Sequence, residues 1–393
     1  MQSDRRGFLK SSAWLGALAA FGGCRQFNNL CDTPAMPGAK VPPMKLPIKV
    51  GIVGIGQRGR GAVKRLSSIP TLKVAALCDL YEERVAEGQE ILSEADCEKA
   101  AGFSGPDGYD RMLDTDIDVV YNVTPWSLHA PFGVKAMEKG KHVFIEVPAA
   151  VSVEECWALV ETSERTGKHC MQLENCAYGE AEMLCLNLVR KGLLGELVHA
   201  EGAYIHDLRE LCYQDMKDGG YADFWRLKFN VEHKGNQYQT HGLVPLCQYM
   251  NINRGDKFDY LVSLESDQFA FEKYARKKFP GSWKSRLKID MGDINTALIK
   301  TAKGRSIMVQ HDVSSARPYS RLNTCQGTEG FFTGIRFPGG AKSQYSYHAE
   351  NVVRFAWKGP KEHVEDFFSY GRMSRHRREC KHPLWITAGE AAK

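Results

Sequence analysis

No C-x-x-C pair occurs among the 12 cysteines of this 393-residue chain, so neither a zinc ribbon nor a disulfide framework is indicated. Cys78, Cys170, Cys185 and Cys247 lie in apolar runs, where cysteine behaves as a small hydrophobe. Charge of one sign is also scarce, with a formal net charge of only +5. The densest basic run, Arg372, Arg375, Arg377, Arg378 and Lys381, carries no interleaved aromatics. It reads as a solvated helix face and excludes a nucleic-acid partner. Beyond the first 25 residues no apolar stretch is long enough to span a bilayer, and no internal repeat or low-complexity tract appears. What remains is the composition of a globular protein, 43% hydrophobic and 25% charged, too long for one ordinary core. Two domains are expected.

Residues 1–24 read as an address. Arg5-Arg6 opens a twin-arginine pattern, and a short Ala/Gly-rich apolar segment follows at 13–21. Ala20-Phe21-Gly22-Gly23-Cys24 also resembles a lipoprotein cleavage box, with Phe21 where leucine is usual. Export by the twin-arginine machinery to the periplasm or cell envelope is therefore expected. Any membrane attachment would come through a lipid on Cys24. This route carries folded proteins, so a cofactor could be loaded before export. Residues 25–47, rich in proline, read as a linker.

The run Ile48-Lys49-Val50-Gly51-Ile52-Val53 predicts a strand buried on both faces. It leads into Gly54-Ile55-Gly56-Gln57-Arg58-Gly59 and then a helical pattern through Leu66. A glycine loop between strand and helix lets pyrophosphate approach the helix N-terminus. The next strand, 72–78, ends at Asp79, where a carboxylate takes ribose hydroxyls and repels a 2′-phosphate, favouring NAD. Strands at 118–123, 142–145 and 169–173 alternate with helices at 130–139 and 153–166. The strand ends carry Thr124-Pro125-Trp126-Ser127-Leu128-His129, Glu146-Val147-Pro148 and Glu174-Asn175. Ligands bind outside such carboxyl ends. The fold class is α/β: a Rossmann doubly wound parallel sheet over 48–175, then an α+β domain over 176–393. A helix at 181–191 precedes strands at 197–205, 260–264, 295–300 and 306–311, which predict a large, mostly antiparallel sheet. Such sheets commonly support homo-oligomers.

The first half resembles the glucose–fructose oxidoreductase and inositol dehydrogenase superfamily, whose dehydrogenases carry Glu-Lys-Pro after the fifth strand. Here the lysine is Val147, which cannot titrate. Further stretches are Trp126-Ser127-Leu128-His129, Leu173-Glu174-Asn175-Cys176-Ala177-Tyr178, Tyr204-Ile205-His206-Asp207-Leu208-Arg209, Trp225-Arg226, Tyr238-Gln239-Thr240-His241-Gly242, Asn251-Ile252-Asn253-Arg254-Gly255 and Arg317-Pro318-Tyr319. Through these the chain resembles glycoside hydrolase family 109, the NAD-dependent α-N-acetylgalactosaminidases.

The resemblance implies a redox-neutral hydrolysis. NAD oxidises the sugar at carbon 3, the carbon 2 proton is lost, the glycosidic oxygen leaves carbon 1, water adds and the hydride returns. The substrate is then a glycan or glycoside ending in N-acetylgalactosamine. By the same resemblance, Gly54, Gly56, Gln57, Arg58, Gly59, Asp79, Trp126, Ser127, Leu128, His129, Glu146, Val147 and Asn175 meet the cofactor. Tyr178, Tyr204, Arg226, Tyr238, Gln239, Thr240, His241 and Tyr319 meet the substrate, and no metal is implied. His241 is the expected base for the carbon 3 hydroxyl, Tyr178 the expected base at carbon 2, and Glu146 or a tyrosine such as Tyr238 the acid. The chain ends soon after His382-Pro383-Leu384-Trp385, whereas the family continues with a glycine-rich segment and further helices, so a short or truncated member is expected. Two other readings remain open: an NAD-dependent sugar dehydrogenase, and a non-catalytic sugar-binding protein with structural NAD.

Overall fold

A computed structural model describes residues 44–335, 344–349 and 352–357. The twin-arginine stretch, Cys24, all but the last residues of the 25–47 linker, the basic run at 372–381 and the segment 382–385 lie outside the described residues.

The first sheet forms from β1 (Ile48–Val53), β2 (Leu72–Asp79), β3 (Ala101–Ser104), β4 (Val119–Asn122), β5 (His142–Ile145) and β6 (Cys170–Gln172). Its strands are parallel and ordered β3-β2-β1-β4-β5-β6. Val50, Ile52, Val74, Leu77, Val120 and Ile145 are buried because helices cover both faces. β3 was not expected: Ala101-Gly102-Phe103-Ser104 has no buried side chain, so it carries no hydrophobic pattern.

The second sheet comprises β7 (Leu197–Ile205), β8 (Phe258–Glu265), β9 (Asn295–Thr301), β10 (Ser306–Asp312), β11 (Thr324–Gly327), β12 (Gly330–Ile335), β13 (Gln344–Ala349) and β14 (Val352–Trp357). It is ordered β14-β13-β12-β11-β7-β10-β9-β8 and antiparallel except for the β7–β10 pair. One face packs on helices Glu180–Arg190 and Thr240–Tyr249 through Leu184, Leu188, Leu246, Tyr249, Val309 and Phe332. The helix Thr240–Tyr249 lies directly on β7 because glycine meets glycine there. A Cβ on Gly202 would fall 2.2 Å from the Gly242 carbonyl oxygen. That close approach brings His241 to the end of β7. Among the described residues no helix is long and apolar enough to cross a membrane, and the cysteines Cys78, Cys97, Cys156, Cys170, Cys176, Cys185, Cys212, Cys247 and Cys325 are free thiols.

Candidate active site

β1 and β4 are neighbours from which the sheet order runs in opposite directions, the switch point where ligands enter an open parallel sheet. A cleft of about 930 Å³ opens there and runs on to the end of β7. At one end lies the glycine loop. Gly54 has φ +91°, and a Cβ on it would sit 2.7 Å from the Val123 carbonyl oxygen. The helix Gln57–Ser67 starts with no side-chain cap and no acidic residue in its first turn. Its first N–H groups and positive dipole end are thus left for an anion. Gly54, Gly56, Gln57 and Arg58 line the cleft, whereas Gly59 does not. Its missing Cβ instead admits the Gly54 carbonyl oxygen, which would lie 1.9 Å from it.

Asp79 ends β2, buried and on the cleft wall. Its Oδ2 accepts the Ile55 N–H at 2.6 Å and its Oδ1 the Tyr81 N–H at 3.1 Å, so it also braces the loop. A carboxylate has further lone pairs for ribose hydroxyls. Uncapped donors for pyrophosphate, a cradle without side chains and this carboxylate together fit a dinucleotide. Asp79→Ala is expected to weaken NAD binding by about 1.5–3 kcal/mol, the worth of a hydrogen bond to a charged group. Fluorescence titration of cofactor-stripped protein with NADH reads this directly, and an unchanged Kd removes Asp79 from the site.

The strand ends form the middle of the cleft. Glu146 Oε1 accepts from Arg58 Nε at 2.8 Å and from the Tyr121 hydroxyl at 2.6 Å. Arg58 also donates to Asn175 Oδ1 at 3.3 Å. Glu146 is therefore tied at one oxygen to the glycine-loop helix. Ser127, Leu128 and Val147 line the same wall. His129 is 1% exposed, with Nδ1 2.6 Å from the Pro148 carbonyl and Nε2 2.8 Å from that of Thr124. The ring lies between two backbone carbonyls, so His129 braces two loops while also lining the cleft where the cofactor contact was expected.

The far end is aromatic. Trp126 stacks on Tyr238 at 5.3 Å and meets Trp225 edge-on, and the Arg226 guanidinium lies 4.8 Å above its ring. Arg226 is 7% exposed and donates to the Tyr221 hydroxyl at 3.1 Å. Its Nε and Nη2 have no hydrogen-bond partner among the described residues. Tyr238, in the turn before the helix Thr240–Tyr249, and His241, in its first turn, have ring centres 4.6 Å apart. Gln239 and Thr240, also expected at the substrate, do not line the cleft: Gln239 is turned to solvent and Thr240 into the protein. Tyr178 lies outside the cleft as well, at 63% exposed. It ends a short turn, Asn175–Tyr178, and the chain direction there sends its ring outward. Tyr204 and Tyr319 are on the cleft wall as expected.

Several residues in or just behind the wall were not assigned a role from the sequence. Glu174 Oε1 lies 2.7 Å from His241 Nδ1 and also accepts the Cys176 N–H at 2.8 Å. Burial raises the Glu174 carboxyl, but the His241 hydrogen bond and charge outweigh this and hold it below its ordinary value. A carboxylate can only accept, so Glu174 takes the Nδ1–H as a hydrogen bond and Nε2 is the imidazole's remaining nitrogen. Met216 and Gly219 to Asp223 cover the cleft, and Gln57 donates to the Gly219 carbonyl. This segment is anchored by buried Lys284, which donates to the Tyr213 carbonyl at 2.7 Å and to Asp215 Oδ2 at 3.0 Å.

Residues 48–173 match the description "Oxidoreductase family, NAD-binding Rossmann fold", and residues 178–393 match "Glycosyl hydrolase 109, C-terminal domain". The chain belongs to glycosyl hydrolase family 109. This family 109 chain is 48% identical to an alpha-N-acetylgalactosaminidase of Bacteroides fragilis over 75% of its own length and 69% of that protein. It is 41% identical to a glycosyl hydrolase family 109 protein of Shewanella amazonensis over 99% of its length and 83% of the relative's. Among solved structures, an inositol dehydrogenase homolog of Azotobacter vinelandii complexed with NAD+ superimposes with a TM-score of 0.59 at 16% identity, covering 79% of this chain and 76% of that one. An aldose-aldose oxidoreductase of Caulobacter crescentus does so with a TM-score of 0.59 at 16% identity over 88% and 96%. Those likenesses show the fold. The N-terminal half of this family 109 protein is an NAD-binding Rossmann fold.

Proposed function

We propose that this family 109 protein hydrolyses glycosides with terminal α-linked N-acetylgalactosamine through an NAD-dependent cycle that has no net oxidation or reduction. The single observation that carries this reading is the hydrogen bond that buried Glu174 accepts from His241, which lines the same cleft as the dinucleotide loop beside Tyr204, Tyr238 and Arg226. The name of the Bacteroides fragilis relative supports the choice of sugar.

Gly54, Gly56, Gln57, Arg58, Asp79 and Asn175 hold NAD, whose chemistry when bound is to accept a hydride from carbon 3 and return it. His241 takes the carbon 3 hydroxyl proton on Nε2 while Glu174 holds the ring through Nδ1. Tyr204, Tyr238 and Tyr319 bury the sugar faces, and Arg226 offers Nε and Nη2 to its oxygens. A ketone at carbon 3 acidifies carbon 2. Loss of that proton expels the oxygen on carbon 1, and water then adds. Val147, in place of a lysine, gives no ammonium for simple dehydrogenation. The twin-arginine pattern at Arg5-Arg6 supports loading of NAD in the cytoplasm and work in the cell envelope.

Hydrolysis in heavy water with no added cofactor tests this. Denatured protein should release about one NAD per chain, and the freed N-acetylgalactosamine should carry deuterium at carbon 2. Hydrogen alone at carbon 2 means direct displacement, while NADH accumulating with product means a dehydrogenase. Protein with NAD but no turnover is a sugar-binding protein.

A further inference from the structure

The cycle proposed above needs two proton acceptors. His241 has one free nitrogen and must keep the carbon 3 proton until the ketone is reduced again, so it cannot also serve carbon 2. The leaving oxygen needs a proton as well. Tyr178 is outside the cleft and Glu146 Oε1 already accepts two hydrogen bonds.

Resting on that reading of the site, we propose that Tyr204 and His206 are a second acid–base pair, which carries the carbon 2 proton's equivalent to the departing glycosidic oxygen. The two side chains are two residues apart at the end of β7, on one side of the strand direction, and both line the cleft. The Tyr204 hydroxyl is 2.9 Å from His206 Nδ1. The Tyr204 ring meets His241 edge-on, with centres 5.2 Å apart, so both pairs face one sugar.

The proton count closes. The carbon 2 proton goes to the Tyr204 oxygen, and the C2–H electrons form the C1=C2 bond as C1–O breaks. The hydroxyl proton of Tyr204 passes to His206 Nδ1, and the proton on His206 Nε2 goes to the aglycone oxygen. The imidazole ends neutral, as its other tautomer. Water addition runs the same path backwards.

The surroundings fit such a relay. Arg226 is a buried cation whose Nε and Nη2 have no hydrogen-bond partner among the described residues, and its charge acts on Tyr204 and on His206. Burial pushes the Tyr204 hydroxyl up to about 12, and Arg226 pulls against that, favouring negative charge on the phenol oxygen as its proton departs. Burial and then Arg226 hold His206 below its ordinary value. A proton received at Nδ1 is therefore passed on rather than kept.

The test uses the NAD-loaded full chain. In Tyr204→Phe, mixing with substrate should still produce NADH absorbance, while hydrogen exchange at carbon 2 and cleavage fall about 10²-fold or more. In His206→Gln, alkyl glycosides should lose much more rate than nitrophenyl glycosides, whose leaving group needs no proton. Wild-type exchange in Tyr204→Phe overturns the proposal, as does loss of NADH formation in step with exchange. If Tyr204→Phe does not fold, His206→Gln decides, and equal losses on both glycosides overturn the relay. Wild-type protein that forms no NADH with substrate overturns instead the redox-neutral cycle beneath it.

Discussion

His241→Ala should lower glycoside cleavage about 10²–10⁴-fold, the usual worth of a positioned acid–base group, with NAD still bound. The expectation rests on the 2.7 Å contact between Nδ1 and Glu174, which fixes which nitrogen is free. It also rests on the separation of this pair from the dinucleotide loop, since no loop residue touches His241 through a hydrogen bond. Removing the imidazole leaves buried Glu174 with the Cys176 N–H on Oε1 and an Oε2 that has no hydrogen bond. The variant should therefore also lose stability, by about 1–3 kcal/mol for the abandoned acceptor. Glu174→Gln separates the two effects. The amide fills the same space but presents a donor or acceptor indifferently, so the imidazole loses its preferred tautomer. Its loss in kcat should exceed its loss in KM, and it should be smaller than that of His241→Ala. Cleavage assays with bound NAD measured in parallel decide the matter. If His241→Ala retains a wild-type rate, the imidazole is structural and carbon 3 is served by another group.

The dinucleotide end was legible because each of its parts is local. A β-branched strand, a glycine loop and an acid at the next strand end lie within about one βαβ unit. The loop glycines Gly54, Gly56 and Gly59 illustrate the limit of that legibility. Spacing marks all of them alike, yet Gly54 serves the turn and the cleft while Gly59 serves helix packing. The sugar end was only half legible. Tyr204, Tyr238, His241 and Tyr319 come from separated motifs and do converge on the cleft. Tyr178, Gln239 and Thr240 came from the same motifs and do not, because a helical turn shows one face at a time. Glu174 stands 67 positions from His241, and their meeting depends on the Gly202–Gly242 crossing. Nothing in a linear pattern encodes that. Lys284 was silent for a related reason: a lone lysine in a polar stretch reads as surface, yet here it is buried against Phe224 and Phe279.

Gly59→Ala should empty the cleft of cofactor while leaving the rest of the fold in place. A Cβ at position 59 would lie 1.9 Å from the Gly54 carbonyl oxygen, and the obstacle is backbone rather than a side chain that can swing away. Either the helix Gln57–Ser67 backs off or the Gly54 turn opens, and each movement takes the first N–H groups away from the pyrophosphate position. Overpacking of this kind costs about 1–3 kcal/mol. Charged against binding, that is a loss of about 5–150-fold in affinity, enough for the cofactor to be lost during purification. Gly61→Ala is the control. It lies in the same helix, but its Cβ would meet only the flexible end of Arg65, at 3.2 Å, and alanine favours helix. Mass spectrometry of denatured protein should find about one NAD per chain in the wild type and in Gly61→Ala, and a small fraction of that in Gly59→Ala. Activity in Gly59→Ala should return on adding excess NAD, since no acid–base group has been touched. Full NAD content in Gly59→Ala would mean that the glycine loop is a tight turn with no part in holding the dinucleotide.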